Sequence, residues 1–300
     1  MEIGLHLPQV GPLANREDVT TFAQRAEELG FDSLWVSDHV VVPRALGSRY
    51  PYNREGSFPV PPDLPFLEAV ATLLYVAGVT QRVKLGTTVL IIPMRNPIVN
   101  AKELASLDVL SGGRLILGVG AGWMGEEFDA LGVPFEKRGA RLDEYIRLYK
   151  QLWTEDNPSF HGKFWQIEDV GFSPKPLQKP HPPIWVGGHS AAALRRAGRL
   201  GDAWHAIGIA PERVREQYEQ VLQHAKDAGR DPAGVGLSIR TRLPLKDPPQ
   251  AIDLLRRYQE AGVSHAVLEI ATGEMERARS MMELLARDVR PQVAGRSPSG

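Results

Sequence analysis

The 300-residue sequence predicts an α/β fold, a (β/α)8 TIM barrel. Three observations lead there. Short apolar runs alternate with longer helix-period segments from end to end. A helix stop, a glycine and a new apolar run recur: Leu29-Gly30 leads into Leu34-Trp35-Val36, Leu200-Gly201 into Ala203-Trp204, and Ala261-Gly262 into Ala266-Val267-Leu268. That punctuation is the helix-to-strand joint of a parallel sheet. Finally, the first apolar run continues into Leu7-Pro8-Gln9-Val10-Gly11-Pro12, without the G-x-G-x-x-G turn that a doubly wound sheet places after its first strand.

Taken in order, the expected strands are Glu2–Leu7, Ser33–Ser37, Val83–Val89, Arg114–Val119, Pro183–Gly187, Ala203–Ile207, Gly236–Leu243 and His265–Ile270. The first helix has Asn15 as N-cap, Val19, Phe22, Ala23, Ala26 and Leu29 on one face, and Gly30 as its stop. The clearest helical stripe is Leu142, Tyr145, Ile146, Tyr149, Leu152 and Trp153. Two insertions interrupt the alternation. The first, residues 43–66, follows strand two and carries six prolines with Tyr50, Tyr52, Phe58 and Phe66. It belongs to the C-terminal mouth of the barrel, as a lid or substrate wall or as a cover for the barrel end. The second, Ser159 to Pro183, precedes strand five, contains a hairpin turning at His161-Gly162-Lys163, and is expected at the opposite face in a structural role.

With 43% hydrophobic and 24% charged residues the chain reads as one soluble folded domain, residues 1–290. Residues 291–300 form a Pro-, Gly- and Ser-rich tail expected to be flexible. A net charge of −1 leaves no electrostatic footprint for nucleic acid. The absence of cysteine removes disulfides, thiolate metal sites and a cysteine nucleophile together. The start MEIGLHLPQVG does not read as a signal peptide, and no run reaches the ~18 apolar residues of a membrane span. A cytoplasmic protein without nucleic-acid or membrane partners is expected.

Candidate chemistry gathers at the strand outlets. Asp38 and His39 close strand two; an imidazole there can move a proton near neutral pH, and a neighbouring carboxylate can orient it or bond the ligand. Thr87 and Thr88 interrupt strand three near its end, as ligands for ring heteroatoms or as β-branched filling of a barrel layer. Strand four ends Gly118-Val119-Gly120-Ala121-Gly122-Trp123, where missing side chains admit a flat ligand or tight packing. Strand five gives Gly187-Gly188-His189-Ser190 before a helix capped by Ser190, a phosphate cradle. Together these suggest a phosphorylated planar cofactor across the mouth. A metal-dependent barrel hydrolase using His6, His39, His205 and His265 competes, but the ligand spacing is wrong and no metal is expected. A non-catalytic flavin-binding scaffold is a further alternative.

The set Val36-Ser37-Asp38-His39, Leu85-Gly86-Thr87-Thr88-Val89, Ser111-Gly112-Gly113-Arg114 through Gly120, Pro183-Ile184-Trp185-Val186-Gly187-Gly188 and Gly201-Asp202-Ala203-Trp204 resembles the bacterial luciferase-like flavin superfamily. Within it, the chain is most similar to oxidoreductases that use the deazaflavin F420. The resemblance implies F420 over the strand ends, FMN being the alternative cofactor of a luciferase-like monooxygenase. It implies that Asp38 and His39 act beside the ring, with His39 as acid or anion stabiliser. It also implies a cis Thr88–Val89 bond behind the ring, and phosphate at Gly187, Gly188, His189 and Ser190. Trp123 stands where the family's sugar-phosphate dehydrogenases carry a catalytic glutamate, with Glu126 and Glu127 close by in another register. The implied enzyme therefore transfers hydride to or from a small apolar substrate lined by Trp123, Tyr50 and Phe58, and works as a homodimer.

Overall fold

The computed structural model describes residues 1–293. The chain runs β1 (Glu2–His6), α1 (Arg16–Glu28), β2 (Ser33–Val36), α2 (Ala69–Val79), β3 (Lys84–Thr87), α3 (Pro97–Ser111) and β4 (Leu115–Val119). Then follow α4 (Gly125–Ala130), α5 (Arg138–Thr154) and a two-stranded hairpin, β5 (Phe160–His161) with β6 (Gln166–Ile167). The second half is β7 (Ile184–Gly187), α6 (Ala191–Leu200), β8 (Ala203–Ile207), α7 (Pro211–Asp227), β9 (Gly236–Thr241), α8 (Pro248–Glu260), β10 (His265–Leu268) and α9 (Met275–Leu284). Strands β1, β2, β3, β4, β7, β8, β9 and β10 pair in that order and β10 closes on β1, every ladder parallel. This is the expected TIM barrel. Among the described residues no helix is long and apolar enough to cross a membrane.

Local sequence explains the joints. Asn15 caps α1 by accepting from the Asp18 N–H at 3.0 Å, and Gly30 takes the left-handed φ of 78° that ends the helix without a Cβ clash. The α5 stripe from Leu142 to Trp153 is buried throughout, sealing the helical layer against the barrel.

The barrel interior is plugged by Trp35. A Cβ on Gly4 would lie 2.6 Å from its Nε1, and one on Gly86 would lie 2.5 Å from its Cζ3, so both neighbouring strands need glycine to admit the indole. Trp35 lies against Trp185 (5.1 Å between centroids) and nearly parallel to His205 (5.5 Å, 7°). Polar groups in this layer are paired: Trp35 Nε1 donates to Ser33 Oγ at 2.6 Å, which in turn bonds His265 Nε2 at 2.8 Å. The lower barrel is therefore closed, and chemistry is left to the mouth.

Residues 37–68 between β2 and α2 contain no helix. The β5–β6 hairpin turns over residues 162–165, slightly later than the spacing suggests. Glu144 of α5 holds it: its carboxylate accepts from the backbone N–H groups of Lys163 (2.7 Å), Phe164 (2.8 Å) and Trp165 (2.8 Å). The domain boundary expected after Arg290 falls inside a helical turn, α10 (Arg290–Val293). Val293 is buried, and its carbonyl accepts from the Met1 amine at 3.2 Å. The rest of the expected tail, residues 294–300, lies outside the described residues.

Candidate active site

The outlets of β2, β3, β4 and β7 and one insertion build the mouth. His39, just past β2, points its Nδ1 at Glu127 Oε2 on α4, 2.7 Å away. An ionised carboxylate can only accept, so Nδ1 carries a proton and faces Glu127, which leaves Nε2 turned the other way. Among the described residues Nε2 has no hydrogen-bond partner. The other Glu127 oxygen accepts from Val40 N–H at 2.7 Å and Val41 N–H at 3.4 Å. Glu127 is 2% exposed, so the imidazole is gripped in one tautomer and one orientation by a carboxylate with no slack of its own.

Asp38 does not share that task. Its Oδ2 accepts from Ile91 N–H and Arg95 Nη1, each at 2.7 Å, and Oδ1 accepts from Arg95 Nη2 at 2.8 Å. Arg95 also reaches Glu68 at 3.1 Å. Among the described residues Asp38 makes no hydrogen bond to the imidazole. A carboxylate whose oxygens are consumed by a bidentate guanidinium and a backbone amide is a structural anchor.

The insertion folds over His39. Phe58, Phe66 and Trp123 surround the imidazole with ring centroids 4.7, 5.7 and 6.0 Å away. Tyr50 packs on Phe58 (5.4 Å) and Trp123 (5.2 Å), and Tyr52 reaches His189 across the mouth (5.9 Å). Trp123, Tyr50 and Phe58 therefore meet in one wall, as the sequence suggests. Glu126 ties the insertion down, accepting from Gly47 N–H (2.6 Å) and Ser48 N–H (2.9 Å).

The back of the site differs from the expectation in detail. The Thr88–Val89 bond is cis. Thr87 is a barrel-layer residue, its hydroxyl spent on the Gly118 carbonyl at 2.7 Å. The Thr88 hydroxyl bonds His205 Nε2 at 2.8 Å, and His205 Nδ1 bonds Ser238 at 2.7 Å. Burial holds His205 near pKa 3 and so keeps it neutral. The strand-four glycines do not open toward a ligand. A Cβ on Gly120 would lie 2.5 Å from Val89 Cγ2, one on Gly122 2.7 Å from Phe128, and one on Gly187 2.8 Å from Val89 Cγ1. Their missing side chains are filled by the protein, chiefly by Val89, which they seat beneath the mouth. Ala121, between them, is half-buried against the core.

At the β7 outlet Gly188 has φ 108°, where a side chain would be strained. Ser190 caps α6 through the Ala193 N–H at 3.2 Å. His189 Nε2 donates to the Ile207 carbonyl at 2.8 Å, while its Nδ1 is buried with no hydrogen-bond partner. Burial lowers its pKa. A phosphorylated ring fits these residues: Val89 forms a floor, and beside it stand a left-handed glycine and a helix N-terminus.

Sequence reasoning passed over two groups. Glu127 was visible as a glutamate just beyond the strand-four outlet. Arg240 was visible as a cation two residues after Ser238 on a barrel strand, and so on the same inward face. Among the described residues no three His, Cys, Asp or Glu side chains cluster as metal ligands.

Comparison with known proteins agrees with the geometry. The model of the luciferase-like monooxygenase family matches residues 2–297. An uncharacterized protein of Mycobacterium tuberculosis (strain ATCC 25618 / H37Rv) is 37% identical over 208 residues, 69% of this chain and 71% of its own. An F420-dependent glucose-6-phosphate dehydrogenase of Kineococcus radiotolerans is 33% identical over 270 residues, covering 88% and 74%. An FMNH(2)-dependent dimethylsulfone monooxygenase of Pseudomonas putida is 37% identical over 165 residues, covering 54% and 45%. In fold, an F420-dependent secondary alcohol dehydrogenase superposes with TM-score 0.79 at 20% identity, covering 98% and 99%. The chain belongs to the luciferase-like monooxygenase family and is an F420- or flavin-dependent oxidoreductase.

Proposed function

We propose that the enzyme transfers hydride between F420 and a small organic substrate, with His39 moving the accompanying proton. The observation that carries this is the His39–Glu127 pair: a buried carboxylate fixes Nδ1–H and leaves Nε2 free inside an aromatic enclosure. Such an imidazole can take a proton from a substrate hydroxyl or return one to a developing alkoxide. Glu127 offsets the positive charge while the proton resides on the ring, as the carboxylate does in a Ser-His-Asp triad. Phe58, Phe66 and Trp123 pack around the imidazole and lower the local dielectric, which strengthens charge interactions there.

F420, when bound, supplies the hydride donor or acceptor at C5. Val89, following the cis bond, would support its ring, with Thr88, Gly120, Ala121 and Gly122 behind that floor. Gly187, Gly188, His189 and Ser190 would take its phosphate. Asp38 contributes by fixing Ile91 and Arg95 under the His39 turn. The same reading takes the enzyme to be a cytoplasmic homodimer with no nucleic-acid or membrane partner. FMN is the second candidate, favoured by the resemblance to the dimethylsulfone monooxygenase.

Separate titrations of the purified protein with F420 and FMN, followed by fluorescence, test the reading. Tight F420 binding is expected. In His39→Ala that binding should persist, while turnover with an acceptor falls by about 10²–10⁴-fold. Tight binding of FMN with F420 ignored would overturn it.

A further inference from the structure

The mouth is lined unequally. One side is the aromatic wall around His39. On the other, Arg240 of β9 crosses the top of the barrel. Its Nε donates to Glu269 at 2.7 Å, and its Nη1 donates to Ser37 Oγ on the β2 side and to the Thr88 carbonyl on the β3 side, each at 2.9 Å. Its Nη2 makes no hydrogen bond among the described residues. That nitrogen is not among the buried unsatisfied atoms, so it is open rather than stranded. The arginine is thus oriented by its contacts with β2, β3 and β10 flanks while two N–H donors stay available.

Its charge is only partly met. Arg242, largely exposed, shares the same Glu269 carboxylate at 2.5 Å. Two guanidinium groups on one carboxylate leave a positive charge over. Burial pushes Glu269 up, but Arg240 and Arg242 outweigh it and hold its pKa at about 2, so the carboxylate stays ionised. His6, which bonds Ser37 at 2.8 Å, is kept neutral by burial with a pKa of about 3. It neither adds to nor cancels the excess. Tyr50 joins the two sides: its ring packs on Phe58 and Trp123, and its phenol feels Arg240, Glu269 and Arg242.

We infer that the substrate has an apolar body carrying one oxyanion, a carboxylate or its equivalent, which pairs with Arg240 Nη2 while the body lies on Phe58, Tyr50 and Trp123. This rests on the reading of the mouth as the substrate site and replaces a purely apolar substrate with an amphipathic one. A guanidinium held on three sides loses little freedom on binding, so it discriminates sharply between a charged ligand and its neutral isostere.

The test uses the full chain, with sodium benzoate and benzamide as probes of the same shape that differ in charge, followed by isothermal titration. Benzoate is expected to bind at least about tenfold more tightly than benzamide. Arg240→Met should abolish that preference and leave benzamide unchanged. Should Arg240→Met fail to fold, Arg242→Gln, at an exposed position, removes the excess charge and should cut the preference several-fold. Equal binding of the two probes, binding of neither, or a preference surviving both substitutions would overturn the inference. Repeating the titration with F420 separates the sources of the anion. Loss of benzoate binding when F420 is present would assign the cation to the cofactor and also overturn it. F420 failing to bind while the benzoate preference stands would sink the cofactor reading alone.

Discussion

Two buried glutamates of this barrel each fasten a loop by the same device, and the contrast separates structure from chemistry. Glu144 projects from α5 and gathers three amides of the β5–β6 turn. At the mouth, Glu127 projects from α4 and gathers Val40 and Val41. Both carboxylates are buried, at 4% and 2% exposure, and both replace the hydration that an ionised oxygen would otherwise lose. The difference is one contact. Glu144 gives its oxygens to backbone N–H groups, which cannot titrate. Glu127 gives one oxygen to an imidazole, which can. On the proposed function, a loop-fastening carboxylate becomes part of a proton path when one amide in its shell is exchanged for a histidine nitrogen.

Substitutions should pull the two apart. The largest effect is expected for Glu144→Ala, which strands three N–H donors of the hairpin turn. It should cost about 3–5 kcal/mol and lower Tm by about 10 °C, with turnover of the surviving folded enzyme within about twofold of normal. Calorimetry beside an activity assay checks it, and a matching loss of turnover would erase the contrast. Next comes Glu127→Gln. The amide keeps the size of the side chain but lets His39 swing to the other tautomer. Stability should fall by only about 1–2 kcal/mol while kcat drops about 10²-fold and KM holds. A KM effect with normal kcat would reduce Glu127 to a second Glu144.

The smallest effect concerns His189, which Tyr52 of the mouth insertion touches. Burial lowers its pKa, so the free imidazole is neutral near pH 7, whereas a bound phosphate favours the protonated form. Binding then takes up a proton. F420 affinity should therefore fall, by up to about tenfold, as pH rises from about 6 to 8. Fluorescence titrations across that range should show the slope in the wild type and a flat line in His189→Asn. An unchanged slope in the variant would place the proton elsewhere.

How much of this was legible depended on range. Strand positions and helix caps follow from contacts a few residues apart, and the eight barrel strands appear where the apolar runs lie, shortened by a residue or two at some ends. The place of His39 at the β2 outlet was legible because the strand pattern ends just before it. Glu127 was not. Its bond to His39 spans 88 positions of sequence, and nothing in either neighbourhood marks the pairing. Asp38 misled because adjacency in sequence is not adjacency in space: residues 38 and 39 point to different partners, Arg95 and Glu127. The glycines of strand four were legible as a place of close approach, but not what approaches, since a missing Cβ says only that something is close. Here that something is Val89.

The meeting of Met1 with Val293 has a practical consequence. β1 begins at Glu2, on the barrel face away from the outlets of β2, β4 and β9. Both ends of the described chain therefore share the rear of the molecule. Attaching the barrel to a support at Met1 or at Val293 would leave its mouth turned outward, and a linker between those two residues would not cross it.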